Sequence, residues 1–243
     1  MAKIPDRPEH VFDEIIGDYT ALFGDDLVAI ILYGSGARGE YVPKKSDINF
    51  LIVLSDSGIE RLGSAVSTVA KWRKRNVRTP LVMTKGYIES SLDAFPLEFF
   101  NIKFAYQVVC GQDVLKDLVI RKDDLRLQCE RELKAKLLLL RESFLEAENK
   151  RHLLRELVGQ SVSAFVSIFK ALLYLKGEDV PEKNEAVLSA MAQGFGLDAD
   201  LFQGLWRIKR GEEKPGKDEL KEFVQKYIKE IRSLSRVVDQ MEL

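Results

Sequence analysis

The sequence predicts an α/β domain over residues 1–115 followed by an all-α helical bundle over residues 116–243. Three observations predict it. Two nearly continuous apolar runs, Leu27 to Tyr33 and Ile48 to Leu54, lie in the first half and have the composition of strands buried on both faces. From Leu118 to Lys150 the chain carries dense Leu, Glu, Lys and Arg at helical spacing, with neither Gly nor Pro to interrupt it. A length of 243 residues exceeds what one small core needs and falls short of three.

The elements follow in order. From Val11 to Phe23 the apolar residues recur at helical spacing, and Gly24-Asp25-Asp26 ends the pattern. The first strand then stops abruptly at Gly34-Ser35-Gly36, and the second begins after a polar loop. Gly58 to Lys74 reads as a surface helix with Ile59, Leu62, Val66, Val69 and Ala70 on one face. Leu81 to Thr84 reads as a third strand, and Phe95 to Val109 as further strand, with Gly111 as the stop. The bundle continues with helices over 151–176, roughly 182–194, roughly 198–210 and 217–240, separated by Gly177 to Pro181, Gly194-Phe195-Gly196 and Gly211 to Gly216.

Composition narrows the function classes. Lys and Arg total 37 against 38 Asp and Glu, so a net charge of -1 supplies no global attraction to nucleic acid or to an anionic membrane. Cys110 and Cys129 fall in no metal-binding spacing, and two histidines in the whole chain argue against a structural zinc site. Two thiols, an N-terminus without an apolar leader and no apolar run long enough to cross a bilayer predict a cytoplasmic protein without a membrane partner. His10 and His152, the latter beside Arg151, read as surface residues, Trp72 and Trp206 as packing, and Lys209 to Lys217 as a polar loop between helices.

The chemistry is concentrated between Leu32 and Val53, in the stretch Gly34-Ser35-Gly36-Ala37-Arg38-Gly39 followed by Ser46-Asp47-Ile48-Asn49. A buried strand feeding into Gly-Ser-Gly lets the backbone approach a ligand, and successive amides with the Ser35 hydroxyl can then cradle phosphate oxygens. Asp47 and Asn49 are two residues apart on the next strand, so their side chains share one face and point at the mouth of that loop. Asn49 offers a carbonyl oxygen but removes one negative charge from the place where a divalent cation would sit.

This stretch resembles the DNA polymerase beta-like nucleotidyltransferase superfamily, and is nearest to its minimal and aminoglycoside-modifying members, through the Gly-Ser turn, the intervening dozen residues and the Ser-Asp-Ile strand. The resemblance implies a nucleotidyltransferase fold with a mixed sheet. It also implies transfer of a nucleoside monophosphate from a triphosphate to a hydroxyl acceptor, a small molecule or a protein, with Mg²⁺ or Mn²⁺ as cofactor. Carried over by position, Gly34, Ser35, Gly36 and Ser46 would bind nucleotide, Asp47 would ligate metal, and Arg38 would lie near the phosphates or the acceptor and offset developing negative charge. Asn49 stands where the family has its second acid and would ligate metal through its carbonyl oxygen; the alternative is a catalytically degenerate nucleotide-binding or partner-binding member of the same fold. The family takes a third carboxylate from a later strand, for which Glu98 is the candidate and Asp93 the fallback.

Overall fold

The computed structural model describes residues 3–242 and divides into two compact units, Met1–Ile120 and Arg121–Leu243. In the first, the two apolar runs form β1 (Leu27–Tyr33) and β2 (Asn49–Leu54), and β3 (Leu81–Thr84) and β4 (Tyr106–Gly111) complete a four-stranded sheet. The order is β3-β2-β1-β4; β1 runs antiparallel to both neighbours and β2 parallel to β3, so the sheet is mixed. Strand alternation sorts the side chains into two apolar layers. Ile30, Leu32, Phe50 and Ile52 pack with Ile15, Tyr19 and Phe23 of α1 (Phe12–Phe23) and with Trp72, whereas Ala29, Ile31, Leu51 and Val53 pack with Ile88, Phe99 and Ile102. A helix-covered face on each side is why β1 and β2 lack the polar-apolar alternation of a half-exposed strand.

Two expected elements are corrected. The surface helix expected over Gly58 to Lys74 is broken into α2 (Asp56–Glu60), a 3-10 turn at Leu62–Ala65 and α3 (Val66–Arg73). Val66 remains 69% exposed, and Trp72 is the residue that enters the core, its indole N–H donating to Asp18 at 2.9 Å. The strand expected from Phe95 to Val109 is instead a helix followed by a shorter strand: α4 (Lys85–Ser90) leads to α5 (Pro96–Phe104), and only Tyr106–Gly111 is extended. Pro96 sits at the start of α5, where its fixed φ suits a first helical turn and its missing N–H costs nothing. Pro96, Leu97, Phe99, Phe100 and Ile102 turn inward at helical spacing. Glu98 is therefore exposed in the first turn of a helix, where a carboxylate complements the dipole, and is not a carboxylate on a strand beside β2. The connection after β4 packs Val114 and Leu115 onto the sheet layer that holds Ile31 and Val53, which draws the first unit out to Ile120.

The second unit comprises α6 (Lys122–Glu146), α7 (Arg151–Lys176), α8 (Asn184–Phe195), α9 (Ala199–Arg210) and α10 (Lys217–Asp239). Helix α7 is long and apolar enough, by length and composition, to cross a membrane, against the expectation that no segment is; its apolar residues, among them Leu154, Phe165, Phe169 and Leu172, are buried within the bundle. At its centre Phe169, Phe202, Tyr227 and Phe165 meet in edge-to-face pairs with centroids 5.8 to 5.9 Å apart.

Among the described residues the Tyr227 hydroxyl is buried without a hydrogen bond of normal geometry. Burial pushes its pKa far up, and the Ser161 hydroxyl offsets less of that than burial imposes. Tyr227→Phe is accordingly expected to keep the bundle as stable as before or to stabilise it by up to about 1 kcal/mol, because it removes a desolvated hydroxyl and keeps the ring. Urea unfolding checks this. A loss larger than about 1 kcal/mol would mean that Ser161 satisfies the hydroxyl after all.

Candidate functional site

The loop after β1 is a single helical turn with a glycine at each end. Gly34 opens it at φ +76, Arg38 N–H donates to Gly34 O at 3.2 Å, and Glu40 N–H donates to Ser35 O at 3.0 Å as Gly39 reverses the chain at φ +70. These bonds use the later amides of the turn. The N–H groups of Ser35, Gly36 and Ala37 stand outside the loop's own hydrogen-bond set, as the first amides of any helical turn do. Gly36 has a packing role as well: a Cβ there would lie 3.3 Å from Pro8 and 3.2 Å from Leu32, so its lack of a side chain seats the turn on the N-terminal segment.

The turn and β2 meet at Gly34. A Cβ on Gly34 would lie 3.4 Å from Asn49 Nδ2, which in turn donates to Asp47 O at 3.4 Å. Asp47 lies two residues before β2 and is exposed, while Asn49 is half-buried as the first residue of the strand. The Tyr41 hydroxyl donates to Pro5 O at 3.0 Å; burial first, and then Asp6 and Asp47, hold its pKa above the ordinary phenol value.

The structure brings Gly34, Ser35, Gly36, Asp47 and Asn49 together at one end of the sheet. Arg38 and Ser46 belong to the same loop but are already engaged. Arg38 Nε donates to Glu40 at 3.0 Å, and Ser46 Oγ accepts the Val42 N–H at 3.1 Å while its carbonyl accepts from Asn76 Nδ2 at 3.1 Å. Ser46 is therefore a fastening of the loop. Glu98 comes from α5, and Asp93 lies in the exposed turn before it.

Three further residues reach this end by sheet pairing. Tyr33 pairs with Asn49 on β2 and with Tyr106 on β4, so the row runs amide, phenol, phenol with Tyr33 in the middle. Tyr106 donates to Asp113 Oδ2 at 3.1 Å, and Asp113 Oδ1 accepts the Leu115 and Lys116 amides at 3.2 and 3.1 Å. The main-chain N–H of Arg78 donates to the Ile48 carbonyl at 2.9 Å, which sets its backbone beside the start of β2 on the approach to β3. Burial raises the Tyr33 pKa and the Arg78 guanidinium draws it back, so this cation acts on the Tyr33–Asn49 row. A lone arginine after the basic stretch Lys71 to Arg75 carries no motif, and only the pairing of β2 with β3 reveals it.

The donor set does not fit a two-metal centre. Such a centre needs several carboxylate oxygens around cations about 4 Å apart. Here Asp47 supplies a carboxylate, Asn49 an amide whose nitrogen is turned toward the Asp47 carbonyl, and Arg78 a positive charge. Among the described residues no group of three His, Cys, Asp or Glu side chains is placed to hold a metal ion. No protein-family model matches the chain, and no curated protein matches it.

Proposed function

We propose that the first unit is a nucleotidyltransferase-like fold that binds the phosphate chain of a nucleoside triphosphate and does not transfer the nucleotide. The observation that carries this reading is the Asn49 side chain packed against Gly34, where metal-dependent transfer requires a second acid; the Arg78 main chain is bonded to Ile48 next to it, and the Arg78 charge acts on Tyr33, which pairs with Asn49. In this arrangement the Ser35, Gly36 and Ala37 amides and the Ser35 hydroxyl take phosphate oxygens, and Arg78 supplies the positive charge that Mg²⁺ supplies in a transferase. Asp47 holds Asn49 in place through its carbonyl and leaves its carboxylate to the loop mouth.

Thermal-shift titrations with ATP, GTP, CTP and UTP, each with Mg²⁺ and with EDTA, test the reading. At about 100 times its dissociation constant the nucleotide is expected to stabilise the fold by roughly 2.7 kcal/mol whether or not metal is present. Arg78→Gln is expected to weaken binding roughly tenfold, the worth of one charge-assisted hydrogen bond of about 1.5 kcal/mol. Release of pyrophosphate on incubation with triphosphate, Mg²⁺ and a hydroxyl acceptor would replace this reading with the transfer reaction, in which Asp47, Asn49 and Glu98 would be metal ligands.

A further inference from the structure

In the helical unit α7 carries Arg151, Arg155, Gly159 and Ser163 at intervals of four, one row along one face of the helix. Arg151, Arg155 and Gly159 of this row line an open cleft of about 770 Å³ that His152, Glu156, Gln160 and Lys209 also line, the last reaching in from α9. The sequence marks neither His152 nor Lys209 as functional, because only the pairing of α7 with α9 makes them line one cleft. Within the cleft, positive charge is held in place by groups that do not neutralise it. Arg151 donates through Nε to Pro215 O at 2.8 Å and through Nη2 to Lys214 O at 2.9 Å, which fixes the guanidinium and leaves further N–H donors. Lys209 donates to the Ser163 hydroxyl and lies 4.7 Å from the centroid of the Trp206 ring; partial burial lowers its pKa. Among the described residues none of Arg151, Arg155 and Lys209 forms an ion pair, in contrast to Arg126, Lys134 and Arg207 in the same unit. The carboxylate in the lining, Glu156, accepts from Gln160 at 3.0 Å.

Gly159 is a separate observation. A glycine inside a helix costs stability relative to alanine, and natural chains keep one where a positive φ or a close approach demands it. Gly159 has neither reason, since a Cβ built there meets nothing within 4 Å. Its effect is to keep the floor of the cationic cleft open, next to Arg155 on one side and Ser163 on the other.

We propose that this cleft is a binding site for an oligophosphate, the phosphate chain of a nucleotide or a free inorganic polyphosphate, held by Arg151, Arg155 and Lys209 over Gly159. It is separate from the turn at Gly34 and does not depend on what that turn binds. A small phosphate ligand fits better than a nucleic acid strand. Glu212 and Glu213 stand in the loop that carries Lys214, and the Trp206 ring that could stack a base is occupied by Lys209.

Calorimetric titration of the full chain with inorganic tripolyphosphate in EDTA tests the proposal, using the Arg78→Gln protein so that binding at the turn is weakened and the cleft is read by its response to Arg155→Gln and Gly159→Leu. A saturable site is expected, weakened at least tenfold by Arg155→Gln and abolished by Gly159→Leu, whose thermal midpoint should equal or exceed that of the parent because leucine suits a helix better than glycine. That pairing of lost binding with undiminished stability separates a blocked cleft from a misfolded one. Equal affinity for ATP and tripolyphosphate would identify the phosphate chain as the group read; tighter ATP binding, lost in the same variants, would identify a nucleotide as the source. Unchanged titrations in Arg155→Gln and Gly159→Leu would overturn the proposal. So would a single-stranded RNA that binds through the same residues far more tightly than tripolyphosphate, which would make the cleft part of a nucleic-acid surface.

Discussion

Gly111→Ala is expected to destabilise the first unit by about 3 kcal/mol or more, with urea unfolding followed by tryptophan fluorescence as the measurement. Gly111 closes β4 at φ +82, a conformation that costs an L-residue about 1 to 2 kcal/mol by itself. The larger part is steric. A Cβ there would lie 2.1 Å from Val28 O and 2.9 Å from Ala29 Cα, and both contacts are backbone of β1, so no side chain can swing aside. Nor can β1 retreat, because it lies between β2 and β4 with Ile30, Ile31 and Leu32 fully buried. The Gln112 N–H bond to Val28 O at 3.0 Å would break with the displacement. Trp72 belongs to the first unit and Trp206 to the second, so the early phase of unfolding should be carried by Trp72. A shift below about 1 kcal/mol would show that β4 can peel from β1 at little cost, and would remove the sheet as the rigid support of the Gly34 turn.

The same sheet explains which parts of the protein are legible in the sequence. β1 and β2 are covered on both faces, which makes them continuous apolar runs, and their ends at Tyr33 and Leu54 fall where the sequence places them. Helix α7 likewise spans residues 151 to 176 as read, because Gly177 terminates it in the left-handed region. Phe95 to Val109 defeats the same logic: an aromatic-rich apolar run fits a buried helix or a buried strand equally well, and only the position of Pro96 at the first turn separates them. That one ambiguity also carried Glu98 onto a strand it does not occupy. At the candidate site, Gly34, Ser35, Asp47 and Asn49 are legible because the loop and β2 are neighbours in sequence. Arg78, Tyr106 and Asp113 are not, because strand pairing brings them from 29 to 64 residues beyond Asn49. Arg155 and Lys209 are hidden for the same reason, at a junction of two helices that no local pattern announces.

Asn49→Asp is expected to convert a metal-indifferent protein into one whose stability depends on divalent cations. The new carboxylate would stand two residues from Asp47 on one face of the chain, about 7 Å along an extended strand. Two negative charges at that distance repel by roughly 2 kcal/mol at an effective dielectric of about 20, an upper figure here because Asp47 is exposed. The exchange also replaces the Nδ2 donor to the Asp47 carbonyl with an acceptor, so the contact with Gly34 loses its anchor. In EDTA the variant should therefore unfold at lower temperature than the natural protein. Millimolar Mg²⁺ or Mn²⁺, bridging the two carboxylates, should restore it, whereas the natural protein should show no such dependence. Arg78 works against this gain, since its guanidinium competes with the cation for the same charge; adding Arg78→Gln to Asn49→Asp should tighten metal binding further. If the natural protein already shows the full metal-dependent shift, Asn49 is a working ligand through its carbonyl oxygen and the binding-only reading of the turn fails. If Asn49→Asp acquires the shift and begins to release pyrophosphate from a triphosphate, a single amide is what separates this chain from a transferase.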